Sequence, residues 1–168
     1  MRIEWIEKYL AEAERLISQD EQQVTTGVEL LNGLLYEEPG YGRLHNHLGW
    51  AHLYYTLDLA QAEIHFKAAI RFQAEMQAPY LHLGTLYVRE GRCAEAIQVL
   101  RTGLTKPQAN RTAMLELIGQ SHELLHEYRL AIRAYREAKL CSLSAGEMNT
   151  FTDGIKRCYR KRWTSIFS

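Results

Sequence analysis

The sequence predicts an all-α protein, a right-handed α-solenoid of stacked antiparallel helix-turn-helix hairpins, as a single domain over residues 1–168. Three observations lead there. Glycines set inside apolar helical patterns recur at Gly49, Gly84 and Gly119, 35 residues apart each time, and downstream alanines recur at Ala62, Ala96 and Ala131, spaced 34 and 35. Between these landmarks apolar residues return every three or four positions, the period of a helix with one buried face. Only three prolines in 168 residues leave little material for a loop-rich β sandwich.

Glycine inside a helix costs about 1 kcal/mol relative to alanine, so its recurrence points to a helix contact too close for a Cβ. In each copy a large residue lies four positions after the alanine (Phe66, Leu100, Tyr135), and a small one three further on (Ala69, Gly103, Ala138). The alanines are expected to supply the small surface opposite the glycine, with the large residues filling the space beside it. A single hairpin cannot bury its apolar stripe, so hairpins must stack.

In order along the chain, residues 1–40 read as a worn first copy. Ile3, Ile6, Leu10, Ala13 and Ile17 form its first stripe, Asp20 is a plausible N-cap, and Gly27, Leu31, Leu34 and Pro39 keep the spacing of a second helix. Residues 42–75 form the next hairpin; Gly49 to Ala62 spans 13 positions against 12 elsewhere, which predicts one inserted residue near the Leu57-Asp58 turn. Residues 77–110 form the most regular hairpin. Pro79 suits the first turn of its first helix, Gly91 a left-handed helix end, and Lys106-Pro107 the break to the next unit. Residues 112–143 form the last hairpin. Residues 145–166 read as a terminal helix sealing the stack, opened by the capping box Ser144-Ala145-Gly146-Glu147. Its stripe runs through Met148, Phe151, Ile155, Cys158 with Tyr159, Trp163 and Ile166.

These residues resemble the tetratricopeptide repeat (TPR) family, whose unit is a 34-residue helix-turn-helix with a Leu-Gly pair, an aromatic residue three later, then Ala, aromatic, Ala and Pro. The copy over 77–110 fits best, with Leu83-Gly84, Tyr87, Gly91, Ala96 and Leu100, and Gly103 where the family prefers Ala. The flanking copies carry Leu48-Gly49 and Ile118-Gly119, but His52 and His122 replace the aromatic.

Composition excludes other classes. Apolar residues are 46% and charged residues 24%, an ordinary globular balance. No segment approaches the roughly 18 apolar residues of a membrane span, and the charged N-terminus has no signal-peptide core. Cys93, Cys141 and Cys158 are odd in number, without a CxxC, and read as free thiols in a cytoplasmic setting. Cys93 begins a second helix beside Arg92, a place where a thiol can be activated, although an ordinary thiol is the plainer reading. No Walker loop, GxGxxG, HExxH or nucleophile elbow is present, and Ser121-His122 are merely adjacent, so the expectation is no enzyme, no cofactor and no metal. Histidine spacing agrees: His45–His47 and His45–His52 lack the i,i+4 geometry of a helical metal site, and His47 and His82 sit on successive hairpins about 10 Å apart. The neutral total hides an asymmetry, 6 Lys/Arg against 12 Asp/Glu in residues 1–84 and 14 against 8 in 85–168.

The resemblance implies protein binding in a concave groove lined by first helices. Carried over position by position, the groove residues are Asn46, Trp50, Leu53 and Tyr54, then Leu81, Thr85, Val88 and Arg89, then Glu116, Gln120, Glu123 and Leu124, with His47 and His82 bordering the same surface. The clamp by which TPR cochaperones grip a carboxylate terminus is missing: Asn46 and Trp50 stand for its Lys and Asn, His82 for its second Asn, and Ala113 and Leu117 for its Lys and Arg. The expected partner is therefore a peptide or helical segment of a protein, with no membrane. Two alternatives differ in class. The run Lys156-Arg157-Cys158-Tyr159-Arg160-Lys161-Arg162-Trp163 could bind nucleic acid, although a solvated back to a capping helix explains it more simply. The opposite charges of the two halves could drive a homo-oligomer.

Overall fold

A computed structural model of the chain describes residues 2–19 and 21–164, in which the regular elements are helices and none is a strand. The expected N-cap Asp20, the side chain of Ile3, and Ile166 lie outside the described residues. The chain divides into two compact units, Met1–Leu83 and Gly84–Ser168, with the division inside a helix. These units coincide with the acidic and basic halves of the sequence.

The first unit contains α1 (Arg2–Gln19), a short 3-10 turn (Glu21–Gln23), α2 (Val24–Glu37), α3 (Gly42–Ala51) and α4 (Leu59–Phe72). It also holds the start of α5 (Ala78–Arg89). The stripe Ile6, Leu10, Ala13 and Ile17 of α1 is buried against Leu31 and Leu34 of α2 and Leu44, Leu48 and Ala51 of α3. Arg43 pairs with Glu7 at 2.7 Å, and the Tyr41 hydroxyl donates to the same carboxylate. The second unit takes the rest of α5, then α6 (Cys93–Gly103), α7 (Arg111–Leu124), α8 (Tyr128–Cys141) and α9 (Ala145–Thr164). Pro79 lies in the first turn of α5 and Lys106-Pro107 between α6 and α7, as their chemistry predicts. Asp58 and Asn110 cap α4 and α7, accepting from Gln61 N at 3.0 Å and Ala113 N at 3.1 Å.

The recurring glycines face the large residues directly, rather than the alanines. A Cβ at Gly49 would stand 2.6 Å from Phe66 Cε1, one at Gly119 2.7 Å from Tyr135 Cε1, and one at Gly84 against the Leu100 side chain. In the first hairpin the roles are exchanged: Gly27 of the second helix meets Ile17 of the first. Tyr135 is flanked twice, because a Cβ at Gly154 of α9 would stand 3.1 Å from its other ring edge.

The hairpin turns share a backbone signature. Leu57, Gly91 and His126 all adopt the left-handed conformation, with φ of 57°, 74° and 60°. The two later turns close with bonds from Arg92 N to Tyr87 O and from Glu127 N to His122 O, both 2.8 Å. The extra residue of the second copy is not in its turn. Leu57 precedes Ala62 by five positions, as Gly91 precedes Ala96 and His126 precedes Ala131, so the surplus lies upstream. It is absorbed by a π-helical stretch, His52–Thr56, at the end of the first helix, the usual form of a one-residue insertion in a helix.

α9 packs Phe151, Cys158 and Ile155 on Leu115, Ala131, Ile132, Tyr135 and Ala138, as a capping helix must. The expected stripe ends early: Trp163 is 64% exposed. The capping box is also rerouted. Ser144 Oγ accepts from Glu147 N at 3.5 Å, but the Glu147 carboxylate takes the Ser142 hydroxyl at 2.6 Å instead of the Ser144 N–H.

Gly84→Ala and Gly119→Ala should each destabilise by about 1–3 kcal/mol, because the partner side chains are buried and cannot give way. Gly33→Ala, in α2 with nothing within 4 Å of the added Cβ, should stabilise by about 1 kcal/mol. Leu57→Gly should gain about 0.5 kcal/mol, relief of the left-handed backbone exceeding glycine's entropy cost. Urea titration followed by circular dichroism orders all four.

Candidate functional site

In the first unit, the residues expected to line a groove form an aromatic and imidazole cluster. The Trp50 ring meets His47 at 6.5 Å and Tyr55 at 4.9 Å, both edge-on, and packs partly on the core below. His82 stacks on Phe66 at 5.4 Å and takes Tyr54 edge-on at 5.9 Å. Tyr54 is exposed, and Trp50, His47, Leu81 and His82 are half-buried. Leu53 is fully buried at 0% exposure, so it belongs to the core and presents nothing to a partner. Asn46 is buried too, and its Oδ1, like His82 Nδ1, has no hydrogen-bond partner.

Three further histidines converge beside this cluster, a feature that the sequence reading missed because His65 matches no repeat landmark. His45 Nε2 lies 3.0 Å from Pro39 O and must donate to it, since a carbonyl only accepts. The Nδ1 atoms of His45 and His65 lie 3.1 Å apart and share a hydrogen bond. His52 stacks on the other side of His65 at 5.7 Å and bonds Thr56 Oγ1 at 2.9 Å. Among the described residues no three of His, Cys, Asp and Glu are placed to hold a metal ion. Burial, then the neighbouring His45 and His52, depress His65 to about 4; burial and then His47 do the same to His82. Burial also lowers His47 and His52, although nearby Glu14 and Asp58 oppose it.

In the second unit, the expected groove residues divide. Arg89 and Leu124 are exposed, while Thr85, Val88, Glu116 and Gln120 are half-buried. Glu116 accepts from Gln120 at 3.2 Å, and burial raises its carboxyl above the ordinary value. Glu123 is the correction. Its side chain is only 8% exposed and is occupied within the unit. Arg157 grips it with two bonds, Nε to Oε1 at 2.7 Å and Nη2 to Oε2 at 2.8 Å; Lys161 adds a third at 2.8 Å, and the Tyr135 hydroxyl a fourth at 3.1 Å. Hydrogen bonding from Arg157 outweighs burial and holds Glu123 at about 2; the same bond raises Arg157, while burial and then the Glu123 carboxylate push Tyr135 upward. Val88, Gln120, Glu123, Leu124 and Lys161 surround a cavity of about 260 Å³.

The basic run of α9 is accordingly part structural. Arg157 and Lys161 serve Glu123, Lys156 faces Asp153 at 3.5 Å, and Tyr159 accepts from Arg136 at 2.7 Å. The thiols settle as well. Cys93 is buried and shifted upward by that burial, and Cys158 is pushed up to about 11 for the same reason, so neither is an activated nucleophile. His122 is buried with Nδ1 2.6 Å from Glu127, a link to the hairpin turn and away from Ser121, whose hydroxyl donates to Leu117 O.

Acid should weaken the two units over different ranges. His65 and His82, depressed when folded, contribute full stability above their ordinary value of 6.5; that contribution falls as pH drops towards 4, because the unfolded chain takes up protons first. Glu123 contributes above its ordinary 4.5 and loses its share as pH falls towards 2. His82→Phe should flatten the upper range. Glu123→Gln should cost about 1–2 kcal/mol at neutral pH, since both cations remain half-exposed and can hydrate, and should flatten the lower range. Thermal melts in a buffer series from pH 8 to pH 2.5 read both.

Comparison with models of protein families and with curated proteins gives no match. Solved structures do match. MamA from Desulfovibrio magneticus RS-1 aligns with a TM-score of 0.72 at 14% identity, over 95% of this chain and 92% of that one. A tetratricopeptide repeat protein from Parabacteroides merdae ATCC 43184 gives 0.69 at 17% identity, over 95% and 66%. A thermophilic TPR protein from Thermus thermophilus gives 0.65 at 16% identity, over 92% and 94%. Likeness at this identity speaks for architecture, and it agrees with the repeat register, the paired helices and the glycine contacts: the chain has the all-α fold of tetratricopeptide repeat proteins.

Proposed function

We propose that the chain is a non-catalytic adaptor that binds a peptide or helical segment of a partner protein through the groove positions of its first helices. The observation that carries this is the aromatic surface at those positions, with Tyr54 exposed and Trp50 half-buried on the same helix end. Trp50 and Tyr54 offer the aromatic contact that most often dominates protein recognition. The TPR-like fold supports the same class, because stacked hairpins present first helices side by side. In this reading Glu123 is an anchor for α9, and the binding positions of the second unit are Thr85, Val88, Arg89, Glu116, Gln120 and Leu124. Among the described residues no helix is long and apolar enough to cross a membrane; the cytoplasmic setting read from the thiols belongs to the proposal.

Affinity capture from native lysate should retain a protein on the wild type that is lost from Trp50→Ala and from Arg89→Glu and is unchanged by nuclease. Retention of every captured protein by both variants would exclude this surface. Loss on nuclease treatment alone would move the function to the exposed charges of α9.

A further inference from the structure

The second unit holds a cavity lined by none of the expected groove residues. It opens between α6 and α8, the second helices of their hairpins, over the back of α7, and measures about 300 Å³. Leu104, Leu115, Ile118, Leu130 and Ala134 line it together with the buried His122, whose imidazole is engaged by Glu127, and Arg101 and Arg133 stand at its rim.

The charges around it are not balanced. Glu137, the acid of the rim, is taken by Arg111 at 3.2 Å. Arg101 and Arg133 are exposed and, among the described residues, make no ion pair. Arg129 is in the same state and lies one turn before Arg133 on α8, so the positive edge extends past the cavity along the helix. This arrangement belongs to the unit with 14 Lys/Arg against 8 Asp/Glu.

We propose that this cavity is a second docking site, for an acidic segment of a partner protein that inserts one large apolar side chain and sets carboxylates on either side of it. Complementary charge selects the occupant. Guanidinium groups are the preferred partners of carboxylates, and here they stand on both second helices with an apolar recess between them. A row of arginines along a helix matches carboxylates spaced along a chain better than a single anionic headgroup. The apolar recess sets the contribution of the anchor side chain apart from general attraction to polyanions. The site stands independently of the first-helix reading, since it shares none of those residues.

The test uses the full chain and a fluorescein-labelled peptide of about 15 residues with one tryptophan flanked by two glutamates on each side, titrated by anisotropy at low salt. Binding to the wild type is expected. Arg101→Glu/Arg133→Glu should weaken it at least about tenfold. Leu130→Ser, at a half-exposed position where folding is not at stake, should weaken it severalfold. Trp50→Ala should leave it unchanged, and a peptide with glutamine for glutamate should bind at least about tenfold less tightly. The proposal is overturned if the charge reversal stays within about twofold of wild type, if the glutamine peptide binds equally, or if Leu130→Ser has no effect. It is also overturned if sedimentation equilibrium finds a dimer that Arg101→Glu/Arg133→Glu dissociates, because the occupant is then a second copy of this chain.

Discussion

Each of the three later hairpins depends on a glycine of its first helix pressed against one large side chain of its second. Gly49 receives Phe66, Gly84 receives Leu100 and Gly119 receives Tyr135, each with no room for a Cβ. The contact fixes how near the helices come, and hence which residues turn inward and which remain for binding. Because the large residue varies while the glycine does not, the hairpins keep one spacing with three different fillings. In the last hairpin the filling does more than occupy space: Tyr135 carries its hydroxyl to Glu123 and offers its far edge to Gly154 of α9. The packing contact and the attachment of the last helix thus share a residue.

The two units solve the burial of polar groups differently. The first packs imidazoles on one another and on aromatic rings, with His65 against His45 and His52 and His82 on Phe66. The second buries one carboxylate and surrounds it with Arg157, Lys161 and a phenol, so that every strong acceptor position is filled. Neutral stacking leaves polar atoms unpaired inside the unit, as at Asn46 and His82, while the ionic cluster satisfies its own carboxylate.

Much of the architecture was legible because it is periodic. Helix pairs, the left-handed turn at Gly91, the role of Pro79 and the burial of α1's stripe all follow from local spacing. What escaped was set at longer range. Glu123 meets Arg157 and Lys161 at separations of 34 and 38 residues, a pairing decided by the length of α8 and the turn after it. His45 and His65, 20 apart, meet only because the hairpin folds one helix back on the other. Trp163 escaped for a simpler reason: its helix continues beyond the surface that it covers, so a spacing that predicts burial has nothing left to be buried against.

The π-helical stretch at His52–Thr56 separates two properties that a repeat normally ties together. One added residue advances the following side chains by about 100° around the helix axis, yet the turn at Leu57 and the second helix from Asp58 onward keep their register with the other hairpins. The surplus is spent before the turn, and Leu53 and Tyr54 keep the buried and exposed states of Glu123 and Leu124, their counterparts in the last hairpin. A change of one residue in length is thus absorbed at the end of a first helix while the hairpin's glycine, its filling and its turn keep their places. The repeat tolerates insertion there because the wider helical turn takes up the added residue before the chain reverses.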